Sequence, residues 1–117
     1  MDLEARTRHY YERVDAADLD GVLAWFADDA VYHRPGYPPM AGRAVLAEFY
    51  GGGRVIVSGA HSVEEVVVQG DRVAVRGVFT GTVKDGSRVE VGFADFIRYD
   101  AHARAVERRT YFASPAV

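Results

Sequence analysis

Apolar residues in the first half of the chain recur at the three- and four-residue spacings that are typical of helices. A first helix is predicted over residues 3–16, with apolar positions at Leu3, Tyr10, Tyr11 and Val14. Asp18 can cap a second helix, whose apolar positions are Leu19, Val22, Leu23, Trp25 and Phe26. A short strand over residues 30–33 should stop before Pro35. Residues 43–50 predict a third helix, which ends at the glycines of 51–53.

The second half alternates apolar and polar positions, which is typical of strands. Strands are predicted over residues 55–69 (as one strand or two), 72–83, 87–99 and 105–113. Gly70-Asp71 and Asp85-Gly86 favour tight turns, and residues 100–104 are expected to form a loop. Helices followed by strands with hairpin connections predict one α+β domain over residues 1–117, with three helices on an antiparallel sheet.

Both faces of the predicted sheet carry apolar side chains, since successive residues of a strand point to opposite faces. A sheet of this kind usually has both faces covered. We expect the three helices to cover one face and a second copy of the chain to cover the other. The predicted homodimer contact consists of Val75, Phe79, Phe96 and Tyr111.

Composition and charge narrow the possible classes of function. The net charge of −3 argues against a nucleic-acid partner, because phosphate binding needs a concentrated basic face. The chain has no cysteine, which excludes disulfides, thiolate metal ligands and a cysteine nucleophile. No apolar run approaches the ~20 residues that span a bilayer, and the acidic start Met1-Asp2-Leu3-Glu4 does not resemble a signal peptide. The expected location is the cytoplasm, with no membrane partner.

Six short segments carry a family resemblance when their order and spacing are taken together. They are YYERVD (10–15), ADDA (27–30), PPMAGR (38–43), FY (49–50), DFIRYD (95–100) and TYF (110–112). This arrangement resembles bacterial ketosteroid isomerase and, equally closely, the SnoaL-like branch of the nuclear transport factor 2-like superfamily. The resemblance implies a cone-shaped, curved antiparallel sheet with three N-terminal helices around a pocket (a cystatin-like α+β roll), in proteins that are often dimers.

The resemblance also implies roles for particular positions. In the isomerase, a tyrosine of the first helix and a protonated aspartic acid hold the substrate oxyanion. Tyr10 and Asp95 match these two groups, Tyr50 matches a second tyrosine that supports the first, and Phe26 replaces a third. The general base of the isomerase is an aspartate before the proline that ends the first strand, and Arg34 stands there. An arginine stays protonated and cannot abstract a proton, so the steroid isomerisation mechanism is not expected.

Strand alternation and the resemblance together predict the residues of a mostly apolar pocket with a few polar groups. The predicted catalytic residues are Asp95, Tyr10, Arg34 and His61. The predicted substrate-binding residues are Tyr32, Tyr50, Arg76, Val78, Phe93, Arg108, Thr110 and Phe112, with Ile97 also in the apolar wall. One carboxylate facing up to three arginines favours a small hydrophobic substrate with a polar or anionic group, such as a carboxylate, enolate or phenolate.

Two states of Asp95 are compatible with the sequence. Paired with Arg34 or Arg108, its carboxylate stays ionised with a lowered pKa and acts as a base, a positioning group or a structural partner. In apolar surroundings beside Tyr10, it stays protonated and donates to a developing oxyanion. The number of arginines favours the ionised state.

Among the four histidines, only His61 could face the pocket, where it would replace the missing base. His9, His33 and His102 are expected to point elsewhere. No pair of histidines has the spacing of metal ligands within one element, so no metal site is predicted, and no cofactor is expected.

The predicted function is a cofactor-independent acid–base isomerase or cyclase for a small ketone, enol or polyketide-like substrate. Three alternatives remain open. The first is a non-catalytic small-molecule-binding protein, and the second is a structural dimerisation module with a filled pocket. The third is an enzyme like limonene epoxide hydrolase, although Thr110 stands where that family carries an aspartate of its last strand.

Overall fold

The computed structural model describes residues 2–54 and 56–114, which form three helices and a six-stranded sheet. The elements are α1 (Leu3–Asp15), α2 (Leu19–Trp25), β1 (Phe26–His33), β2 (Met40–Ala41), α3 (Arg43–Glu48), β3 (Ile56–Gln69), β4 (Arg72–Val83), β5 (Arg88–Tyr99) and β6 (Ala105–Phe112). One π-helical turn, Phe49–Gly53, continues α3 toward β3. Val55, the first residue of the predicted strand 55–69, lies outside the described residues, and the remainder of that segment is one strand.

Short acidic side chains begin the first two helices. Asp2 accepts a hydrogen bond from the backbone N–H of Ala5 at 3.1 Å, and Asp18 accepts one from Gly21 at 3.0 Å, as expected of N-cap residues. The end of α2 differs from the prediction, because Phe26 already belongs to β1. Phe26 is fully buried and pairs with Ala105 of β6, so a tertiary contact overrides its helical spacing.

The strand order in the sheet is β2-β1-β6-β5-β4-β3. All neighbouring strands are antiparallel except β1 and β6, which are parallel. The predicted α+β class is confirmed, and the sheet is mixed where a wholly antiparallel one was predicted. Turn signals predict the pairing only of strands that follow each other along the chain. β1 and β6 are far apart in the sequence, so no turn signal could predict their parallel pairing.

The helices pack on one face of the sheet, which we call the inner face. α1 contacts β3 and β4, while α2 and α3 contact β1. Strand alternation directs a mostly apolar set of side chains to this face. The buried members on β4 and β5 are Val73, Val75, Phe79, Val83, Val91, Phe93, Asp95, Ile97 and Tyr99.

The face predicted for β4 is wrong. Val75 lies opposite Asp95 across the β4–β5 ladder, and directly opposite residues share a face. Val75 and Phe79, expected on an outer dimer surface, are therefore core residues that are 2% and 3% exposed. Arg76 and Val78, expected in the pocket, point to the opposite, outer face. A shift of one residue in strand register exchanges the two faces, so the alternation alone could not decide between them.

Among the described residues, no helix is long and apolar enough to cross a membrane.

Candidate functional site

Asp95 lies near the middle of β5 with its side chain on the inner face, completely shielded from solvent. Thr110 is its partner across the β5–β6 ladder, and Arg108 lies two residues before Thr110 on the same face. Arg108 donates from Nε to Oδ1 of Asp95 at 3.1 Å and from Nη2 to Oδ2 at 2.9 Å. This is a bidentate ion pair in which the flat edge of the guanidinium matches the carboxylate.

Two hydroxyl groups complete the hydrogen bonding of Asp95. Thr110 donates to Oδ1 and Tyr11 donates to Oδ2, so the carboxylate accepts four hydrogen bonds, about its full capacity. Burial alone would raise the pKa of Asp95. The charge of Arg108 and these hydrogen bonds outweigh burial and hold that pKa below its ordinary value. Of the two states considered from sequence, Asp95 therefore adopts the ionised one.

Arg108 also binds two tyrosines through Nη1, which points away from Asp95. Nη1 donates to the hydroxyl of Tyr10 and, at 3.0 Å, to that of Tyr50, and the two hydroxyl oxygens lie 2.5 Å apart. Burial raises the pKa of Tyr10 well above its ordinary value and that of Tyr50 to about 12, so both phenols keep their protons. Arg108 thus lies between Asp95 and the tyrosine that sequence reasoning expected beside it.

Tyr11 was missed by the sequence analysis as a site residue, although it is the residue of α1 that contacts Asp95. Burial raises its pKa well above the ordinary value, and the charge of Asp95 acts in the same direction. The signal that could have found it is the four-residue spacing of Thr7, Tyr11 and Asp15, which places these side chains along one face of the helix.

Arg34 reaches Asp95 only through a chain of hydroxyl groups. Its Nη1 donates to the hydroxyl of Tyr32 at 3.0 Å, and that hydroxyl lies 3.0 Å from Oγ1 of Thr110. Since Thr110 gives its own proton to Asp95, Tyr32 is the donor to Thr110. The predicted pairing of Arg34 with Asp95 is therefore indirect, and Arg108 takes the direct position.

The guanidinium of Arg34 is enclosed by aromatic rings. Its central carbon lies 5.0 Å from the ring centre of Phe112, 5.6 Å from that of Phe49 and 5.9 Å from that of Tyr37. The residue is only 8% exposed. Its Nε and Nη2 atoms are buried and have no hydrogen-bond partner within the part of the chain that the structure describes.

His61 points to the inner face and is held by Asp15 at the end of α1. The ring Nδ1 lies 2.6 Å from Oδ1 of Asp15, and the backbone N–H of His61 donates to Oδ2 at 2.9 Å. The imidazole contacts the rings of Tyr11, Phe79 and Phe93, with centroid distances of 4.9–5.4 Å, and its side chain is 10% exposed. Asp15, which was also missed from sequence, is thus the orienting partner of this histidine.

The contact with Asp15 determines which nitrogen of the His61 ring carries the proton. A carboxylate partner requires a proton on Nδ1, so the neutral ring has its lone pair on Nε2. None of the described residues forms a hydrogen bond to Nε2. The His61 ring can therefore accept a proton at Nε2 while Asp15 stabilises the charge that forms.

The remaining predicted residues divide between the two faces. Phe93 and Phe112 are neighbours across the inner face of β5 and β6. Arg76 instead forms ion pairs with Glu64 and Glu65 on the outer face, at 2.8 and 3.2 Å, far from the Asp95 network. Within residues 2–54 and 56–114, no three side chains of the metal-ligating types come together.

The other histidines lie away from the site, as expected. His9 accepts a hydrogen bond from Arg13 on the exposed side of α1, and His33 lies 3.7 Å from Glu107. His102 is exposed in the loop between β5 and β6.

A family model described as a SnoaL-like domain matches residues 7–108 of the chain. Solved structures agree with this match over almost the full length. An NTF2-like protein of unknown function from Burkholderia pseudomallei is 24% identical, with a TM-score of 0.85, over 96% of this chain and 92% of that one. A ketosteroid isomerase-like protein from Erwinia carotovora atroseptica is 28% identical, with a TM-score of 0.73, over 97% of this chain and 95% of that one.

A third similar structure is that of SalBIII, described as an epoxide hydrolase/cyclase-like enzyme in pyran ring formation in the polyether salinomycin. It is 17% identical, with a TM-score of 0.84, and the match covers 95% of this chain and 90% of SalBIII. At this identity the likeness concerns the fold alone. The three helices and the mixed sheet of this chain thus form the α+β fold that the residue pattern predicted, in the cone-shaped arrangement that the family resemblance implied.

Proposed function

Because the chain belongs to the SnoaL-like domain family, we propose that it is a cofactor-independent acid–base enzyme, an isomerase or cyclase. Its substrate would be a small ketone, enol or polyketide-like molecule. The observation that carries the proposal is the His61–Asp15 pair. The His61 ring lies on the inner face of the sheet, and its Nε2 atom has no hydrogen-bond partner among the described residues. A histidine oriented by a carboxylate is a common general base, since its charge changes near neutral pH.

In the proposed reaction, Nε2 of His61 removes a proton from the carbon next to the substrate carbonyl. Asp15 keeps the ring in the required tautomer and stabilises the imidazolium that forms. The proton later returns from the same nitrogen to a different atom of the substrate in an isomerisation, or to an oxygen after ring closure in a cyclisation. This assignment replaces Asp95 as the base, because the four hydrogen bonds of that carboxylate leave no lone pair for a substrate proton.

The tyrosines beside Arg108 are the candidate donors to the oxygen that becomes negative. Tyr10 and Tyr50 have two hydroxyl protons between them, and their mutual hydrogen bond uses one. Both hydroxyls also accept from Arg108, so one phenol proton remains for a ligand. Tyr50 is the less buried of the two. In this proposal Tyr50 donates to the substrate oxygen, and Asp95 positions Arg108 behind it.

Deuterium exchange at the carbon next to a carbonyl tests the proposed proton removal. NMR would follow this exchange in a panel of cyclic ketones and 1,3-diketones in deuterium oxide. We expect the wild type to accelerate exchange for at least one member and His61→Gln to lower that rate by ~10²–10⁴-fold, the usual contribution of a general base. Asp15→Asn should lower the rate less, because the base remains and only its orientation is lost.

His102→Gln is the matched control, since His102 is exposed and distant from the inner face. It should exchange the ketones at the wild-type rate. Exchange by His61→Gln at the wild-type rate would remove His61 from catalysis.

The second candidate function is binding of a small molecule without turnover. The full hydrogen bonding of Asp95 favours it, because the carboxylate that acts in the isomerase is here a fixed partner of Arg108. Ligand binding without proton exchange for any ketone that binds would support this candidate over the enzyme.

A further inference from the structure

Two neighbouring arginines of the inner face differ in what occupies their binding edge. The Nε and Nη2 atoms of a guanidinium form a flat edge that can donate two parallel hydrogen bonds to a carboxylate. In Arg108 these two atoms bind Asp95. In Arg34 the same two atoms, Nε and Nη2, are buried and have no hydrogen-bond partner among the residues that the structure describes, while Nη1 is bound to Tyr32.

The empty edge of Arg34 is a costly arrangement for a protein without ligand. A buried donor that makes no hydrogen bond loses the water that it had in the unfolded chain and gains nothing in return. For a cation the loss is larger, and buried charges normally have an ionic partner. Arg34 forms no ion pair with any aspartate or glutamate among the described residues. An anion with two coplanar oxygens would supply what is missing.

We propose that Nε and Nη2 of Arg34 bind a carboxylate group of the ligand, so that the substrate class is that of small organic acids with a planar apolar body. This inference rests on the small-molecule site proposed above and narrows its substrate. The body is assigned from the surroundings, because the Arg34 guanidinium lies among the rings of Tyr37, Phe49 and Phe112. A ligand that carries its carboxylate to this edge places its remaining atoms against those rings.

Space is available next to Arg34. The residue forms part of the wall of a surface pocket of about 210 Å³, which Tyr37, Thr110 and Arg109 also line. Arg109 lies at the rim with its side chain 47% exposed, and its guanidinium is 3.6 Å from the carboxylate of Glu107. The guanidinium edge itself is covered, so entry of a carboxylate requires a movement of the half-buried rings of Phe112 or Tyr37.

Calorimetric titration of matched acids and amides tests the inference. The probes are benzoate and phenylacetate, each paired with its uncharged amide, and inorganic phosphate. We expect the wild type to bind an acid at least about tenfold more tightly than its amide, as charge-assisted hydrogen bonds predict. Arg34→Met should bind the acid and the amide equally. Arg34→Lys should keep only part of the preference, since an ammonium lacks the two-donor edge.

Arg88→Met is the matched control, because Arg88 is exposed at the start of β5, and it should keep the wild-type preference. If Arg34→Met does not fold, Arg34→Lys alone tests whether the preference for the acid over its amide depends on the Arg34 guanidinium. Three results would overturn the inference: equal affinity of acids and amides in the wild type, no binding of either acid, or a preference that survives in both Arg34 variants. Phosphate binding that matches the acids would overturn the assignment to carboxylates. The titration does not depend on proton exchange. A negative titration would therefore leave the proposed role of His61 intact, and a negative deuterium-exchange result would leave carboxylate binding at Arg34 intact.

Discussion

At the scale of single residues, the buried arginines Arg34 and Arg108 differ in the hydrogen bonds and ion pairs that their guanidinium groups form. Arg108 is 4% exposed and donates four hydrogen bonds, two to Asp95 and one each to Tyr10 and Tyr50. Burial alone would lower its pKa, but the facing carboxylate raises that pKa well above the ordinary value. Arg34 is almost as buried, but within the described part of the chain it donates one hydrogen bond, to Tyr32. The two residues should therefore contribute differently to stability.

Replacement of each arginine by methionine should separate a structural cation from a functional one. Arg108→Met leaves the Asp95 carboxylate buried without its counter-ion, so we expect the free energy of unfolding to fall by about 3–5 kcal/mol. Arg34→Met removes two unpaired buried donors and should leave the free energy of unfolding unchanged or raise it. Urea denaturation followed by circular dichroism measures both.

The double variant Asp95→Leu/Arg108→Met is the control for the ion pair. It should recover much of the stability lost in Arg108→Met, because it removes the uncompensated charge. A loss in Arg34→Met as large as that in Arg108→Met would mean that Arg34 is structural, with partners other than those described here.

At the scale of elements, the close packing of β3 and β4 depends on a glycine pair beneath an aromatic ring. Gly59 and Gly81 lie opposite each other, and the ring of Phe79 covers both. A Cβ atom at Gly81 would lie 2.5 Å from Cζ of Phe79, and one at Gly59 would lie 2.6 Å from its Cε1. Phe79 in turn contacts His61, so this packing supports the position of the proposed base.

Gly81→Ala should therefore destabilise the fold even though it adds only one methyl group. The added Cβ would overlap Phe79 and the backbone oxygen of Ser58. We expect the free energy of unfolding to fall by ~1–3 kcal/mol, as is typical of overpacked cores. Chemical denaturation measures the loss.

Gly92→Ala is the control on the next strand, since its Cβ would meet only the Ala113 methyl group at 3.3 Å and the Gly77 oxygen at 4.0 Å. Its free energy of unfolding should stay within ~1 kcal/mol of the wild type. Equal losses in the two variants would show that Phe79 does not depend on the glycine pair.

At the scale of the whole molecule, none of the helices in residues 2–54 and 56–114 lies over the outer face of the sheet. Phe96 and Tyr111 are each 53% exposed there, with ring centroids 5.8 Å apart. Val67 and Ala74 adjoin Phe96 in a cavity of about 370 Å³. An exposed apolar surface of this kind often marks an interface. The homodimer stays a prediction, now centred on Phe96 and Tyr111 without the buried Val75 and Phe79.

A charge placed on the outer face tests the predicted dimer. Phe96→Glu/Tyr111→Glu should shift the molar mass in light scattering from that of a dimer to that of a monomer, because two buried like charges would face their copies. Val45→Glu on α3 is the control, since Val45 is exposed away from this face, and it should remain dimeric. A monomeric wild type would rule out the predicted interface.

The class of fold could be predicted from the residue pattern, and several site residues could be predicted from that pattern together with the family resemblance. Helical spacing, capping aspartates and Gly-containing turns are local signals, and they predicted α1, α2 and the hairpins between β3, β4 and β5. Asp95, Arg108 and Thr110 could be placed on one face because the alternation along β5 and β6 agrees with the family resemblance. His61, the histidine for which a pocket-facing position was predicted, lies on the inner face, and its catalytic role stays a prediction.

Three features depend on contacts that exist only in the folded chain: the buried face of β4, the parallel pairing of β1 with β6, and the contacts of Tyr11 with Asp95 and of Asp15 with His61. Alternation along a strand defines two sets of side chains, but the register against its neighbour selects the buried set. Tyr10 and Tyr11 point about 100° apart around α1, but both are buried, so periodicity alone does not tell which of them contacts Asp95. The partner of Asp95 and the empty edge of Arg34 depend on distances between segments far apart in the chain, which no local pattern contains.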